Sequence, residues 1–243
     1  MPRPSVFGPT FFIVLLAGLA LLASADTYSG PAYDLVLPDG WVQIPQDVIQ
    51  RTMQQVSSGG SGGGFKFDAG FQLKGQTWFA YPYVLVQTIA YPKEPSEAEM
   101  RSLITQIAGS QLMDQAKLQL SPAAQKIVSN MSVKPGELDT THHTFKAFMQ
   151  QEVRGIGRLT AMIDSHFGHT GLVNINCYAK ENDFDKYAPQ FQQISGSFTF
   201  HPGEEYQGNS SSGNANLLGK IGAYGLIAII VGLILGAFRK KKA

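Results

Sequence analysis

Cysteine is almost absent from this chain, since Cys177 is the only one among 243 residues. A single thiol excludes an intramolecular disulfide, so the fold must be held together by its hydrophobic core. Cys177 lies in the alternating run 172–178, which is typical of a strand. This position predicts a small buried side chain, and a reactive or intermolecular thiol is the alternative.

Charge is also scarce, at 15% of the residues, and it is unevenly distributed. All 18 acidic residues lie between positions 26 and 216, together with only 13 of the 19 basic ones. The net charge of this middle part is therefore near −5. An acidic surface argues against nucleic acid or anionic lipid as its main partner, so we expect no nucleic-acid partner.

The usual catalytic patterns are missing as well. Neither a nucleophile–base triad nor a glycosidase-like carboxylate pair stands out, and no phosphate-binding loop ends in Gly-Lys-Ser/Thr. The stretch Gly59–Gly63 formally matches G-x-S-x-G, but a predicted helix precedes it where that motif needs a buried strand. We interpret it as a flexible loop. The sequence favours a non-catalytic protein over an enzyme.

The N-terminal segment 1–25 has the composition of an export signal. Arg3 precedes the apolar run 11–22, and Ala23-Ser24-Ala25 places small residues before a cleavage point. The run has 12 residues, whereas a spanning helix needs about 20. We expect cleavage, with an uncleaved anchor as the alternative. No cysteine lies near this point, which excludes an N-terminal lipid anchor.

The C-terminal segment 217–238 predicts a transmembrane helix, since residues 221–238 carry no charge and would span about 27 Å as a helix. The basic tail 239–243 follows directly and predicts a cytoplasmic C-terminus. A buried core helix is the alternative. Ala228, Gly232 and Gly236 share one face of the helix, which favours close packing with a second span.

Between the two ends, the pattern predicts one extracytoplasmic α+β domain over 26–203 and a flexible polar stalk over 204–216. The element order is ββ-α-ββ-α-βββ-α-β, which predicts an antiparallel sheet flanked by helices. Ser96 and Glu99 form a capping box before an amphipathic helix. The predicted strands are 33–36, 41–44, 65–73, 78–90, 144–153, 157–165, 171–179 and 197–200.

Two short stretches resemble a known superfamily. They are Leu37-Pro38-Asp39-Gly40-Trp41 followed by Ile44-Pro45, and the closing Phe191-x-x-Ile194-x-x-Ser197-Phe198. Together they are similar to the PsbP/DcrB-like α/β/α sandwich, which includes photosystem II extrinsic proteins and bacterial envelope proteins. The resemblance implies a non-catalytic accessory or binding role, and it transfers no site residue to this chain.

Histidines cluster in the second half of the chain. Asp164 and His166 share a strand face, and His169 follows in the next turn, with His142 and His143 before an adjacent strand. Imidazole and carboxylate are common metal ligands, so Asp164, His166 and His169 form a candidate zinc or copper site. The alternative is that they are ordinary polar turn residues, and we expect no other cofactor.

These observations favour a membrane-tethered, non-catalytic binding or accessory module of the cell envelope. An envelope hydrolase with an unlocated active site is the alternative. The topology is single-pass, with the domain extracytoplasmic and the C-terminus cytoplasmic, most simply in a bacterial inner membrane. Expected partners are membrane lipid, through the C-terminal helix, and a protein partner or a second copy of the chain.

Overall fold

The computed structural model describes residues 26–56, 66–107, 114, 116–118, 120–208 and 215–238. The predicted signal peptide, the motif at Gly59–Gly63 and the basic tail lie outside the described residues.

A seven-stranded antiparallel sheet forms the centre of the domain, in the order β3-β4-β5-β9-β8-β7-β6. The strands are β1 Asp26–Ser29, β2 Tyr33–Leu37, β3 Trp41–Gln43, β4 Ala69–Leu73, β5 Tyr83–Ala90, β6 Val128–Asp139, β7 Thr144–Val153, β8 Gly157–Phe167, β9 Gly171–Lys180 and β10 Thr199–Phe200. The helices are α1 Gln46–Val56, α2 Glu97–Ile107, α3 Pro122–Gln125, α4 Glu181–Gly196 and α5 Ala215–Phe238. The predicted α+β class with an antiparallel sheet is confirmed.

Each face of the large sheet packs against its own layer, because successive side chains on a strand point to opposite faces. The α4 face, which carries Val84, Ile175 and Cys177, packs against α4 and the small sheet β1-β2-β10. The opposite face, here the α5 face, carries Leu85 and Tyr178 and packs against α1, α2 and α5. Cys177 is buried, as predicted, and burial raises the pKa of its thiol.

Local patterns placed most elements, but they did not predict the short helix α3, and they differ from the structure in three further places. Strands β1 and β6 were missed; β6 is an edge strand interrupted by register shifts on either side of Pro135, so it lacks regular alternation. Residues 74–82 form turns and irregular chain before β5, although the predicted strand 78–90 includes the last five of them. Helix α4 continues through Pro189, although a proline inside a helix removes one backbone hydrogen bond.

The start of the predicted stalk belongs to the domain. The backbone N–H of His169 donates to the Glu204 carbonyl, and Glu205 forms a bridge with Gly168. Tyr206 Oη donates to the Pro95 carbonyl at 2.8 Å. Residues 204–208 therefore lie on the domain surface, held by these hydrogen bonds and by the Tyr206 ring, which packs against the core.

Helix α5 differs most from the expectation. Its residues 226–235 are buried against the sheet, α1 and α2, which corresponds to the alternative of a buried core helix. No helix in the described part of the chain meets the length and apolarity that crossing a membrane requires. The transmembrane assignment is thus not supported here, because the apolar side chains of α5 find an apolar protein surface in place of lipid.

The capping box at the start of α2 is present. Glu99 N–H donates to Ser96 Oγ at 3.3 Å, and Ser96 N–H donates back to Glu99 Oε2 at 2.7 Å. We predict that Ser96→Ala lowers the free energy of unfolding by about 1 kcal/mol, since it leaves helix donors unpaired. Ser102→Ala, an exposed position in the same helix, is the control for urea unfolding. Equal losses in both variants would contradict a capping role.

Candidate binding site

The predicted metal ligands are only partly brought together. Asp164 and His166 lie on the α4 face, as alternation along β8 predicted. His166 Nε2 lies 3.4 Å from Asp164 Oδ1, and Lys146 Nζ lies 3.3 Å from Asp164 Oδ2. The Asp164 side chain is only 2% exposed, so Lys146 provides the countercharge that this buried carboxylate needs.

The remaining histidines lie elsewhere. His169 is 44% exposed and its Nδ1 lies 3.6 Å from a Glu94 carboxylate oxygen. His142 contacts Asp139 at 2.7 Å, and the His143 ring lies against Tyr206. Within the described residues, no group of three or more His, Cys, Asp or Glu side chains could hold a metal ion. His169 does not join Asp164 and His166, because the turn after β8 directs it towards Glu94.

His166 instead packs as a neutral ring. Burial lowers its pKa to about 4, and Lys146 acts in the same direction, against the opposing influence of Asp164. Its ring stacks on Phe198 with centroids 4.0 Å apart. The side chain therefore contributes as an aromatic surface between β8 and the segment that follows α4.

The small-residue face of the C-terminal helix contacts the sheet. Ala228, Gly232 and Gly236 are all buried. A Cβ atom at Gly232 would lie 2.1 Å from Tyr178 Oη, and one at Gly236 would lie 2.8 Å from a Tyr81 ring carbon. The face that was expected to pack against a second span lies against tyrosines of the same chain in this structure.

An open pocket of about 370 Å³ lies on the α4 face beside the start of α4. Its size is in the range of small-ligand sites. Strands β6, β7 and β8 form its floor, and the first turn of α4 forms one wall. The lining residues are Ser132, Lys134, Phe148, Gln150, Thr160, Glu181, Phe184 and Asp185.

The pocket lies where α4 leaves part of the sheet open. Helix α4 begins directly after β9 and packs mainly on β9 and β8, so its first turn borders this face of β6 and β7 without covering it. Register places Lys134 opposite Phe148, and Gln150 opposite both Ser132 and Thr160, so their side chains share the floor. Phe184 meets Phe148 edge-on, with centroids 6.1 Å apart.

Phe148 is the unusual residue of the pocket, since 40% of this large apolar side chain is exposed. A sequence signal for it exists. In β7 the residues 144, 146, 150 and 152 are polar, and Phe148 occupies the same phase of the alternation. That pattern alone does not mark Phe148 as a binding residue, because one aromatic residue in a polar phase is common in strands that form part of a core.

The polar groups of the pocket are suited to binding. Glu181 is held by Arg158 and by Gln150, each at 3.3 Å, while Lys134 presents a separate positive charge. The lining residues include hydroxyl groups and carboxylates but no imidazole or thiol. This lining does not single out a nucleophile together with its base, so the pocket gives no support to the hydrolase alternative.

The fold is similar to that of a solved protein structure. The structure is similar to the solution structure of cyanobacterial PsbP (CyanoP) from Synechocystis sp. PCC 6803, with a TM-score of 0.46 and 12% identity over 76% of this chain and 96% of that one. The likeness is one of fold. No protein-family model and no curated protein sequence matches the chain.

The low pKa of His166 predicts a pH-dependent stability. The folded-state pKa, about 4, lies below the unfolded value of 6.5, so the unfolded state binds the proton first as the pH falls. Above pH 6.5 His166 is neutral in both states and the free energy of unfolding has its full value. It falls as the pH drops from 6.5 to 4, because only the unfolded state then gains the proton. Between pH 7 and 5 we expect a loss of about 2 kcal/mol in the free energy of unfolding.

Urea unfolding of wild type and His166→Phe at the two pH values measures this loss. Phenylalanine keeps the stacking on Phe198 but cannot be protonated, so the pH dependence should shrink by the stated amount. His142→Gln, which removes an exposed histidine, is the control. An unchanged pH dependence in His166→Phe would refute the assignment.

Proposed function

We propose that this protein is a non-catalytic binding module that holds a short polypeptide segment of a partner protein in the open pocket. The observation that carries the proposal is the exposed Phe148 ring beside charged groups of both signs. A half-exposed aromatic ring in a concave site is typical of the anchor positions of protein interfaces. Binding in the pocket requires little backbone movement, because the floor of the pocket is a sheet.

The lining indicates the chemistry of the partner. Phe148 and Phe184 form an apolar contact for one aliphatic or aromatic side chain. Lys134 would pair with an acidic residue of the partner, and Asp185 with a basic one. A segment with one apolar residue between charges of opposite sign would therefore fit best.

The proposed location is the cell envelope, with the domain on the extracytoplasmic side of a bacterial inner membrane. Its support comes from the sequence, in the signal-like residues 1–25 and in the basic tail after residue 238. The proposal includes a membrane tether through residues 217–238. Such a tether requires α5 to leave its place on the sheet, because one helix cannot contact the sheet and span a bilayer together.

Photo-crosslinking tests the binding role. With p-benzoylphenylalanine at position 148 of the full chain in cells, we expect a discrete adduct with a single partner. Lys134→Glu should reduce its yield by at least about fivefold, the effect of roughly 1 kcal/mol in affinity. The same probe at Leu118, another exposed apolar residue, is the control. Identical adducts from both positions would contradict a specific pocket.

Reporter fusions to Ala243 test the location. Green fluorescent protein folds in the cytoplasm, and alkaline phosphatase becomes active only outside it. We expect a fluorescent first fusion and an inactive second one, since the basic tail should remain in the cytoplasm. Strong phosphatase activity at Ala243 would overturn the proposed topology while leaving the pocket unaffected.

A further inference from the structure

The α5 face of the sheet is polar at its centre, although an apolar helix covers it. Asn174, Asn176 and Tyr178 succeed one another along β9 on this face, and Gln87 lies opposite Asn174 on β5. All four are almost completely buried. We call the buried polar side chains of this face the polar layer; its members are Gln72, Tyr83, Gln87, Gln151, Ser165, Asn174, Asn176 and Tyr178.

Several atoms of the polar layer have no hydrogen-bond partner among the described residues. Both amide atoms of Asn176 are unpaired, and so are Tyr178 Oη, Gln87 Oε1 and both amide atoms of Gln151. Asn176 is 0% exposed and lies between Leu85 and Ile163 on the neighbouring strands. Buried polar atoms in folded proteins are nearly always paired, so such a cluster requires an explanation.

The described side chains of helix α5 do not satisfy these groups. Its residues from 225 to 238 have no polar side chain. The contacts it offers are backbone carbonyls: Tyr83 Oη donates to Gly232, and Tyr81 Oη donates to Leu233. The helix lies close to the polar layer only because Gly232 leaves room for the Tyr178 ring.

Packing between α5 and the sheet is also incomplete on the side next to α2. A cavity of about 30 Å³ lies between α2, the sheet and α5, and it is lined by Ser165, Asn174 and Ile229 among others. Ser165 Oγ donates to Asn174 Oδ1 at 2.7 Å beside it. The interface between α5 and the sheet therefore leaves both a void and unpaired amides.

We propose that α5 is a displaceable cover and that the polar layer is a second binding site, which takes a neutral oligosaccharide when α5 moves away. This site lies on the opposite face of the sheet from the open pocket, so it does not rest on the proposed function.

The chemistry of the polar layer selects the ligand class. Its described members are all uncharged, which matches a neutral ligand. Side-chain amides donate and accept hydrogen bonds at the same time, as sugar hydroxyl groups do, and Tyr83 and Tyr178 provide flat ring surfaces. A polypeptide backbone would need a free strand edge, whereas β5, β9 and β8 are paired on both sides.

The vacated space has a suitable shape. Helix α5 lies between α1 and α2, and a helix with its side chains is about 10 Å wide. Its removal leaves an elongated groove with helices as walls and the polar layer as floor. A linear oligosaccharide would lie along this groove and pair with Asn174, Asn176 and Gln87.

The test uses the full chain and Gly232→Leu, since a side chain at 232 has no space beside Tyr178. We expect hydrogen exchange to accelerate in α5 but not in β9, and affinity for cellohexaose, maltohexaose or chitohexaose to rise at least about tenfold over wild type. Adding Asn176→Leu to this variant should abolish that binding. Ala237→Leu, at a partly exposed position of α5, is the control and should behave as wild type.

Two further measurements leave α5 unchanged and apply even if Gly232→Leu does not fold; one uses wild type and the other Asn176→Leu. In wild type, α5 amides should exchange at least about 100-fold faster than those of β9, which reports local opening. Asn176→Leu alone should raise the melting temperature, since it removes an unpaired amide. Equal exchange in α5 and β9, no binding of any hexasaccharide, or binding that persists after Asn176→Leu would each overturn the proposal.

Discussion

The burial of β9 on both faces is the constraint on which the rest of this structure depends. From Gly171 to Ala179 every residue of this strand is buried, and the strand pairs with β5 on one side and β8 on the other. In this structure each face of the strand has its own covering layer. One layer follows directly, since α4 begins at the end of β9 and turns back across it.

The two covering layers differ in chemistry. Under α4 the strand presents Val173, Ile175 and Cys177, which need only apolar contact. Under α5 it presents Asn174, Asn176 and Tyr178, and neither Asn176 nor Tyr178 Oη has a hydrogen-bond partner among the described residues. Each unpaired buried amide opposes the burial of this layer by about 1–3 kcal/mol, whereas its apolar surface contributes on the order of 25 cal/mol per Å².

Sequence patterns were reliable where one local rule applied. The capping box at Ser96 and the alternation in β7, β8 and β9 depend on neighbours within a few residues, and the structure contains them. The same alternation placed Asp164 beside His166. It could not place His169, whose position depends on how the turn after β8 meets Glu94. No local pattern predicts the open pocket, because it depends on where α4 crosses the sheet.

By itself, the sequence determined the local periodicities, the class of the fold and the apolar character of residues 221–238. The tertiary structure decided what those apolar residues contact. Hydropathy records the free energy of leaving water, which is similar for a lipid phase and for an apolar protein surface. Only the packed sheet, with glycines at 232 and 236 fitted against Tyr178 and Tyr81, supplies a surface specific enough to hold the helix there.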